Sequence, residues 1–364
     1  MIVEHLEVVD FRNYTSGSFD LTAGTTVVVG DNGQGKTNLV EALGYLATLS
    51  SFRGAPNDAM VRMGADTAII RARVRHDDDR EILVEAEIAS AGRNRVQVNR
   101  QRLARARDLL GTLRITVFSP DDLILVKGGP SDRRRFLDDT LVALAVKYDA
   151  ARLELDRIVR QRNTLLRQAG GRLTAEVATT LDVWDERFSA VAEQFGHARA
   201  TLVARLTPMV EEAYEQLAGT AVPIGLVYEP AWRVPGLSAA LAEARATDIR
   251  RGSTTVGPHR DELTMWVGGL PARTHASQGE QRSLALALRL AAHRLVTDRT
   301  GSAPVLVLDD VLSELDDHRA TALLSHLPKG QIVMTTATGI PAAASVDRVL
   351  RVRDGGVTDE TPPG

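Results

Sequence analysis

A glycine-rich stretch near the N-terminus has the residue types and spacing of a phosphate-binding loop. The pattern G-x-x-x-x-G-K-[ST] is matched by Gly30, Asp31, Asn32, Gly33, Gln34, Gly35, Lys36 and Thr37. Glycines let backbone N–H groups curl around phosphate oxygens, and a following helix points its positive end at the anion. Lys36 can reach the β- and γ-phosphates, and the Thr37 hydroxyl can bind Mg²⁺. The stretch predicts nucleotide binding, with a chance glycine-rich turn as the alternative.

Two adjacent carboxylates near the C-terminus are the next candidates. Residues 304–308 form an apolar run typical of a buried strand, and Asp309 and Asp310 follow it directly. Asp309 can hold Mg²⁺ beside the phosphates, and Asp310 can polarise the attacking water. A solvated acidic turn is the alternative, and the phosphate-binding loop in the same chain argues against it.

A third candidate is the start of an Ala/Leu-rich helix, formed by Ser277, Gln278, Gly279 and Glu280. Ser277 and Glu280 make the pattern of a capping box before a helix predicted over about residues 281–296. A glycine in a first helical turn costs up to about 1 kcal/mol relative to alanine, so close approach of another group would explain Gly279. The stretch therefore predicts a second anion site, with a well-capped helix as the alternative.

Buried strands and helices must position these groups. Residues 25–29 form a β-branched run directly before the loop, and a helical pattern follows it. Strand, loop and helix thus occur in the order that phosphate binding requires. We predict an α/β fold, and 364 residues favour two domains or one domain with a large insertion.

The middle of the chain has the pattern of two long helices with a coiled-coil seam. Apolar residues recur in steps of four and three, first at Leu141, Leu144, Tyr148, Ala151, Leu155 and Ile158, then at Leu181, Trp184, Phe188, Val191, Phe195, Ala198 and Leu202. Gly170 and Gly171 can turn the chain between the runs. We predict an antiparallel helical hairpin whose first helix, residues 131–168, is roughly 55 Å long at about 1.5 Å per residue. A helical subdomain folded down on the nucleotide-binding part is the alternative.

The composition excludes several classes of protein. No cysteine is present, which excludes a disulfide scaffold and a cysteine-based zinc site. No apolar run has membrane-spanning length and the N-terminus lacks the features of a signal peptide, so we expect a cytoplasmic protein with no membrane partner. The net charge of -3 requires any nucleic-acid binding to come from a local basic patch.

Two basic patches are candidates for contacting phosphates. The stretch GRNRVQVNRQR has the pattern of a hairpin that carries Arg93, Arg95, Arg100 and Arg102. Residues 133–135 are three consecutive arginines at the base of the predicted arm. A solvated basic edge that discourages strand pairing is the alternative for the hairpin.

Together the motifs resemble the ABC/SMC class of ATPases and, more narrowly, the RecF family of bacterial recombination mediators. Four stretches in the family's order carry the narrower resemblance: DFRNY (residues 10–14), VFSPDDLILVKGGPSDRRRFLD (117–138), GPHRDEL (257–263) and SQGEQRSLALALRLA (277–291). The resemblance implies an ABC/SMC-type ATPase head with an inserted helical arm. On this basis we assign residues 1–121 and 220–364 to the head and residues 122–219 to the arm.

The resemblance also implies a function. Heads of this class dimerise when ATP binds, because the signature motif of one protomer, here Ser277–Glu280, closes on the nucleotide in the loop of the other. The family binds double-stranded and gapped DNA and acts with RecR and RecO to load RecA in gap repair and replication restart. In SMC-like heads a counterpart of Arg12 approaches the nucleotide. A weak, DNA-stimulated ATPase is expected.

Departures from the wider ABC pattern indicate slow hydrolysis. Thr335 and Thr336 stand where a transporter carries a switch histidine, and Asp310 stands where transporters mostly have glutamate. Two other functions remain alternatives. A transporter's nucleotide-binding subunit would co-purify with a membrane subunit, and an ATPase that regulates a nuclease would need a separate nuclease module.

Overall fold

The computed structural model describes residues 1–341 and 343–360, so the last four residues of the predicted head lie outside the described residues. The strands are β1 (Ile2–Phe11), β2 (Tyr14–Asp20), β3 (Thr25–Val29), β4 (Thr67–Arg75), β5 (Glu81–Ala89), β6 (Arg95–Val98), β7 (Gln101–Arg102), β8 (Ile115–Phe118), β9 (Ile224–Val227), β10 (Thr264–Val267), β11 (Leu270–Pro271), β12 (Val305–Asp309), β13 (Ile332–Thr336), β14 (Arg348–Arg353) and β15 (Gly356–Glu360). The α-helices are α1 (Lys36–Thr48), α2 (Asn57–Met60), α3 (Ile124–Lys127), α4 (Pro130–Leu144), α5 (Lys147–Gln168), α6 (Ala175–Ala218), α7 (Leu237–Arg251), α8 (Ala272–His275), α9 (Gln278–Thr300) and α10 (Asp317–Ser325).

The chain divides into two compact units. The first, here called the sheet unit, comprises Met1–Asp122, Ala213–Ala221 and the described part of Ala285–Gly364. The second, here called the helical unit, comprises Leu123–Glu212 and Val222–Leu284.

The sheet unit contains two six-stranded sheets. One is antiparallel, with strand order β2-β1-β4-β5-β6-β7. The other has the order β15-β14-β3-β13-β12-β8, and all of its neighbouring strands are parallel except the edge pair β14–β15. Its strands β12 and β13 are buried along their whole length, as expected for parallel strands covered on both faces.

The core of the sheet unit draws on α1 and on both sheets. Leu39, Leu43 and Leu46 of α1 are fully buried in the same apolar cluster as Val28 of β3 and Ile70 of β4. Burial of a leucine side chain contributes about 1.5–3 kcal/mol, so these residues hold α1 firmly from Leu39 onward. The sequence predicted β3 at residues 25–29, where the structure has it. It predicted β12 at residues 304–308, one residue earlier than the observed strand.

The helical unit combines α3–α5, α7, α8 and most of α6 with the three-stranded sheet β11-β10-β9. An apolar cluster is formed by Leu166 of α5, Leu181 of α6 and Ile249 of α7. Three helices rather than two therefore share this part of the core.

A buried arginine joins the same three helices. The Arg162 side chain on α5 is fully buried; its Nε donates to Asp185 Oδ1 on α6 at 2.7 Å, and its Nη1 donates to Asp248 Oδ2 on α7 at 2.6 Å. Nη1 also donates to Thr254 Oγ1 at 3.0 Å. Because each buried charge depends on its partners, this cluster fixes how the three helices pack.

The structure divides the chain at different residues from those predicted. Residues 222–284, assigned by sequence to the head, lie in the helical unit, because α7 packs on α5 through Ile249 and through the ion pair of Asp248. The predicted first helix of residues 131–168 is interrupted at Ala145, whose backbone is extended with φ -160° and ψ 121°. The apolar seam continues across this break, so its periodicity gives no sign of it.

A membrane-spanning segment was also excluded by sequence. Within residues 1–341 and 343–360, no helix has both the length and the apolar character needed to cross a bilayer.

We predict that Arg162→Leu destabilises the helical unit by about 3–5 kcal/mol, because it removes the counter-ion of the fully buried Asp248 and leaves Asp185 paired with Arg245 alone. Unfolding in urea, followed by limited proteolysis of α5 and α7, measures the effect. Arg160→Leu is the matched control, since Arg160 lies on the same helix and is exposed. Equal stability of the two variants would contradict a structural role for the cluster.

Candidate functional site

The glycine-rich loop follows β3 and requires glycine at two positions. Gly30 has φ 157°, and a Cβ added there would lie 2.4 Å from the carbonyl oxygen of Val352. Gly35 has φ 117°, and its Cβ would lie 2.6 Å from Asn13 Nδ2. Val352 and Asn13 therefore pack directly against the loop backbone, and this contact fixes the shape of the loop.

Two residues of the DFRNY stretch brace the loop. Tyr14 is fully buried, and its hydroxyl donates to the carbonyl oxygen of Gly35 at 2.9 Å. Asn13 Nδ2 donates to the carbonyl oxygen of Gln34 at 2.9 Å. Burial raises the pKa of Tyr14, so this hydroxyl keeps its proton and remains a donor. The sequence marked the stretch as characteristic of a family and did not identify these contacts.

The start of α1 is suited to an anion. The helix begins at Lys36, has no side-chain cap, and carries no acidic residue in its first turn. Its unpaired N–H groups and its dipole therefore favour a negative charge at this end. Lys36 is buried, and its Nζ donates to the carbonyl oxygens of Gly30 at 2.7 Å and Asp31 at 2.9 Å. Asp31, Asn32 and Gly33 are exposed.

The two predicted metal ligands lie side by side. Thr37 Oγ1 donates to Asp309 Oδ1 at 3.0 Å, and Thr335 Oγ1 donates to the same oxygen at 2.8 Å. Burial is the main cause that raises the pKa of Asp309, and the two hydroxyl donors oppose it. A hydroxyl and a carboxylate are oxygen ligands of the kind that Mg²⁺ prefers, so these residues fit that ion.

Asp310 has two unusual features. Its φ is 51°, in the left-handed region, which costs a residue other than glycine roughly 1–3 kcal/mol. Its Oδ1 is buried and has no hydrogen-bond partner among the described residues. A strained carboxylate with an unsatisfied buried oxygen indicates a group that acts on a ligand.

Arg12 is not directed at the loop. Its Nε and Nη2 donate to the two carboxylate oxygens of Glu41 on α1, at 2.8 and 2.7 Å, and its Nη1 donates to the carbonyl oxygen of Ala59 at 2.8 Å. The Glu41 side chain is fully buried and also accepts a hydrogen bond from Ser51. An approach of Arg12 to a nucleotide remains a prediction and would require this pair to open.

A cavity of about 410 Å³ borders the loop in the sheet unit. Its lining includes Gly30, Asp31 and Thr336, with Arg351 and Glu360 on the strand pair β14–β15. The volume lies within the usual range for small-molecule pockets, so a ligand can occupy space beside the loop.

The stretch Ser277–Glu280 lies in the helical unit and forms the predicted capping box. The backbone N of Ser277 donates to Glu280 Oε2 at 2.7 Å, and the backbone N of Glu280 is 3.3 Å from Ser277 Oγ. The helix begins at Gln278, three residues earlier than predicted. Ser277 and Gln278 are exposed, whereas Gln281 is buried and anchors the turn through its bond to the carbonyl oxygen of Ala272 at 2.9 Å.

The predicted basic hairpin is present at the edge of the antiparallel sheet. Strands β6 and β7 are joined by Asn99 and Arg100, both with positive φ, as a two-residue hairpin turn requires. Arg93, Arg95, Arg100 and Arg102 are all exposed. Within residues 1–341 and 343–360, Arg95 pairs with Glu87 at 3.4 Å and the other three form no ion pair.

The second basic candidate is mostly structural. Arg133 is buried and makes two hydrogen bonds to the Glu262 carboxylate, at 2.7 and 3.0 Å, and Arg134 donates to the carbonyl oxygen of Asp261 at 2.7 Å. Only Arg135 of the three is exposed. The run of arginines therefore binds the GPHRDEL stretch within the helical unit and offers little charge to a ligand.

His259 of that stretch is a largely buried, neutral ring. Burial lowers its pKa to about 4, so the ring is neutral near pH 7. Its Nε2 is 3.1 Å from the carbonyl oxygen of Thr254, which makes Nε2 the protonated nitrogen. The neighbouring Asp261 accepts hydrogen bonds from Tyr228 and Trp232 at 2.5 and 2.7 Å. GPHRDEL is thus a packing centre of the helical unit.

The chain is similar to known proteins over almost its whole length. Residues 2–357 match the family described as RecF/RecN/SMC N terminal domain. The DNA replication and repair protein RecF of Streptomyces avermitilis is 47% identical over 354 residues, which cover 93% of this chain and 93% of that protein. The protein of the same name from Cutibacterium acnes is 40% identical over 378 residues, covering 96% and 95%.

Solved structures show the same relationship. The structure described as recombination mediator protein RecF-ATP in the RecFOR pathway superposes with a TM-score of 0.91 at 27% identity, covering 99% of this chain and 97% of that one. An Smc head bound to the C-winged helix domain of ScpA has a TM-score of 0.62 at 18% identity, with 100% and 98% covered, and supports the fold alone. These matches confirm the family resemblance and the predicted ABC/SMC-type α/β fold.

Proposed function

We propose that this chain, which belongs to the RecF family, is an ATP-dependent DNA-binding recombination mediator with slow ATPase activity. The observation that carries the proposal is the meeting of three elements in the sheet unit. The glycine loop with Lys36, the oxygen pair of Thr37 and Asp309, and the unsatisfied carboxylate of Asp310 come together there. A similar chain is described as RecF-ATP, which supports ATP as the nucleotide.

ATP would be held by the loop and by the first turn of α1. The uncapped N–H groups of that turn and the Lys36 ammonium provide positive charge for the β- and γ-phosphates. Lys36 would exchange its bonds to the carbonyl oxygens of Gly30 and Asp31 for bonds to phosphate.

Thr37 and Asp309 would hold Mg²⁺. Bound there, the ion would neutralise charge on the β- and γ-phosphates. Burial of Asp309 strengthens its interaction with a cation, because the surrounding protein screens the charge less than water does.

Asp310 would polarise the attacking water. Its unsatisfied Oδ1 can accept a hydrogen bond from that water, and its shorter side chain, compared with glutamate, is consistent with slow turnover. Slow hydrolysis suits a switch whose bound state must last.

ATP would join two copies of the chain. Ser277 and Gln278 are exposed at the start of α9, where a γ-phosphate held by a partner protomer can accept hydrogen bonds. The homodimer would form on DNA and separate after hydrolysis. Exposed arginines of the β6–β7 hairpin would contact the phosphates of double-stranded or gapped DNA.

The partners of the family complete the proposal. The similar structures are described as part of the RecFOR pathway, which supports RecR and RecO as partners. With them the protein would promote RecA loading at gaps and at stalled replication.

We predict that Lys36→Ala weakens ATP binding by about 10- to 100-fold or more, since hydrogen bonds to charged groups contribute about 1.5–3 kcal/mol. Fluorescence titration with a labelled ATP analogue measures the change. Lys329→Ala, an exposed lysine of the same unit, is the control. Wild-type affinity in Lys36→Ala would remove the basis of the proposed function.

Ser277→Arg is expected to leave ATP binding by the monomer intact and to block dimerisation, because the larger side chain occupies the position of the partner's γ-phosphate. Light scattering with a slowly hydrolysed ATP analogue distinguishes the two states. Ser238→Arg, at an exposed serine of α7 in the same unit, should dimerise as the wild type does. An ATP-dependent dimer of Ser277→Arg would exclude contact in trans by this motif.

Replacing Arg93, Arg95, Arg100 and Arg102 with alanine should weaken binding to all duplex sequences about equally and spare ATP binding. Each phosphate contact adds about 0.9 to the slope of log K against log salt on B-DNA, so the slope should flatten, and ATP should steepen it in the wild type alone. Salt titrations with and without ATP give both slopes. A matched quadruple variant of exposed helical-unit arginines, at positions 157, 160, 167 and 250, should keep the wild-type slope. If the hairpin variant keeps the wild-type slope and the helical-unit variant loses it, the DNA-binding surface lies in the helical unit.

A further inference from the structure

The buried hydroxyl of Thr335 is hydrogen-bonded to both acidic residues of the site, Asp309 and Asp310. Thr335 belongs to β13, and the parallel register places it opposite Asp309 of β12 and Val28 of β3. Its side chain is almost fully buried. Thr335 therefore lies between the strand that delivers the loop and the strand that delivers the carboxylates, near the ends of all three.

The two hydrogen bonds of Thr335 Oγ1 have fixed directions. A backbone N–H can only donate, so the 2.9 Å contact with the N of Asp310 makes Oγ1 the acceptor. The hydroxyl's own proton is then free for Asp309 Oδ1, at 2.8 Å, because an ionised carboxylate only accepts. The single proton and one lone pair of Thr335 are thus both committed to the site.

Asp310 depends on these contacts for its backbone conformation. Its φ of 51° is rarely adopted by an L-residue, so neighbouring groups must hold it there. The N–H of Asp310 is 2.9 Å from Thr335 Oγ1 and 3.3 Å from the Thr335 carbonyl oxygen, so both acceptors belong to one residue.

We propose that Thr335 is a positioning residue for ATP hydrolysis. Its hydroxyl fixes the Asp309 carboxylate beside Thr37, and it holds Asp310 in the conformation in which Oδ1 has no hydrogen-bond partner among residues 1–341 and 343–360. This inference rests on the proposed function of the site. It gives a role to one of the two threonines that stand where a transporter carries a switch histidine.

Two substitutions at Thr335 distinguish the role of its hydroxyl from the role of its methyl group in packing. Valine has nearly the same shape and β-branching as threonine but no hydroxyl, and serine keeps the hydroxyl but lacks the methyl group. Thr26 provides a matched control, since it is a buried threonine of β3 whose Oγ1 accepts a hydrogen bond from the N of Thr22 at 3.2 Å, away from the site.

The experiment uses the full chain and two measurements: single-turnover ATP hydrolysis, and binding of a fluorescent ATP analogue titrated with Mg²⁺. Thr335→Val should slow hydrolysis by about tenfold or more, since small misplacement of catalytic groups has effects of this size. It should also shift the Mg²⁺ dependence of binding to higher concentration and leave binding in EDTA unchanged. Thr335→Ser should restore most of the hydrolysis rate and most of the Mg²⁺ dependence of binding. Thr26→Val should behave as the wild type.

Two results would overturn the positioning role. Wild-type hydrolysis and Mg²⁺ dependence in Thr335→Val would show that the hydroxyl has no part in the reaction. A Thr335→Ser protein as impaired as Thr335→Val, with both folded by circular dichroism, would assign the effect to packing. By contrast, wild-type protein that binds no ATP analogue would overturn the proposed function itself, and the positioning role with it.

Discussion

The candidate site depends on the register of three parallel strands. Pairing of β13 with β3 places Thr335 beside Val28, and pairing of β13 with β12 places it beside Asp309. The carboxyl ends of the three strands therefore coincide, and the groups that follow them meet at one edge of the sheet. A shift of one residue in the β12–β13 pairing would turn the Thr335 side chain to the other face of the sheet relative to Asp309 and separate the two.

The energetic cost of this arrangement is met by the rest of the sheet unit. Asp309 is a buried carboxylate and Asp310 has a strained backbone, and neither contributes favourably to folding alone. The buried strands and the apolar face of α1 supply the compensating stability. Asn13 and Tyr14, at the turn from β1 to β2 of the antiparallel sheet, add hydrogen bonds that hold the loop. The loop is consequently shaped by side chains distant in sequence, although its own residues define the motif.

The sequence predicted those parts of the site in which a few neighbouring residues determine the structure. The glycine loop, the strand before Asp309 and the capping box of Ser277 and Glu280 are of this kind. Long-range pairs were not predictable, because nothing local distinguishes Arg162 from the exposed arginines of α5, or Arg133 from a surface residue. The place of α7 in the helical unit was missed for the same reason. The pairing of Asp248 with Arg162 and the burial of Ile249 reveal it.

The side-chain donors of the site are engaged within the chain, and this bears on how a nucleotide would act as a switch. Lys36 is bonded to loop carbonyl oxygens, Thr37 to Asp309, and Arg12 to Glu41. A triphosphate must replace these side-chain bonds, so their contribution to the free energy of binding is a difference between two sets of hydrogen bonds. If Arg12 turns to the nucleotide, Glu41 loses its closest counter-ion, and the more distant Arg53, at 3.8 Å, is left to compensate for a buried carboxylate. Movement of Arg12 would then be coupled to the loop around Ser51 and Arg53, which gives the sheet unit a route by which bound nucleotide changes its surface.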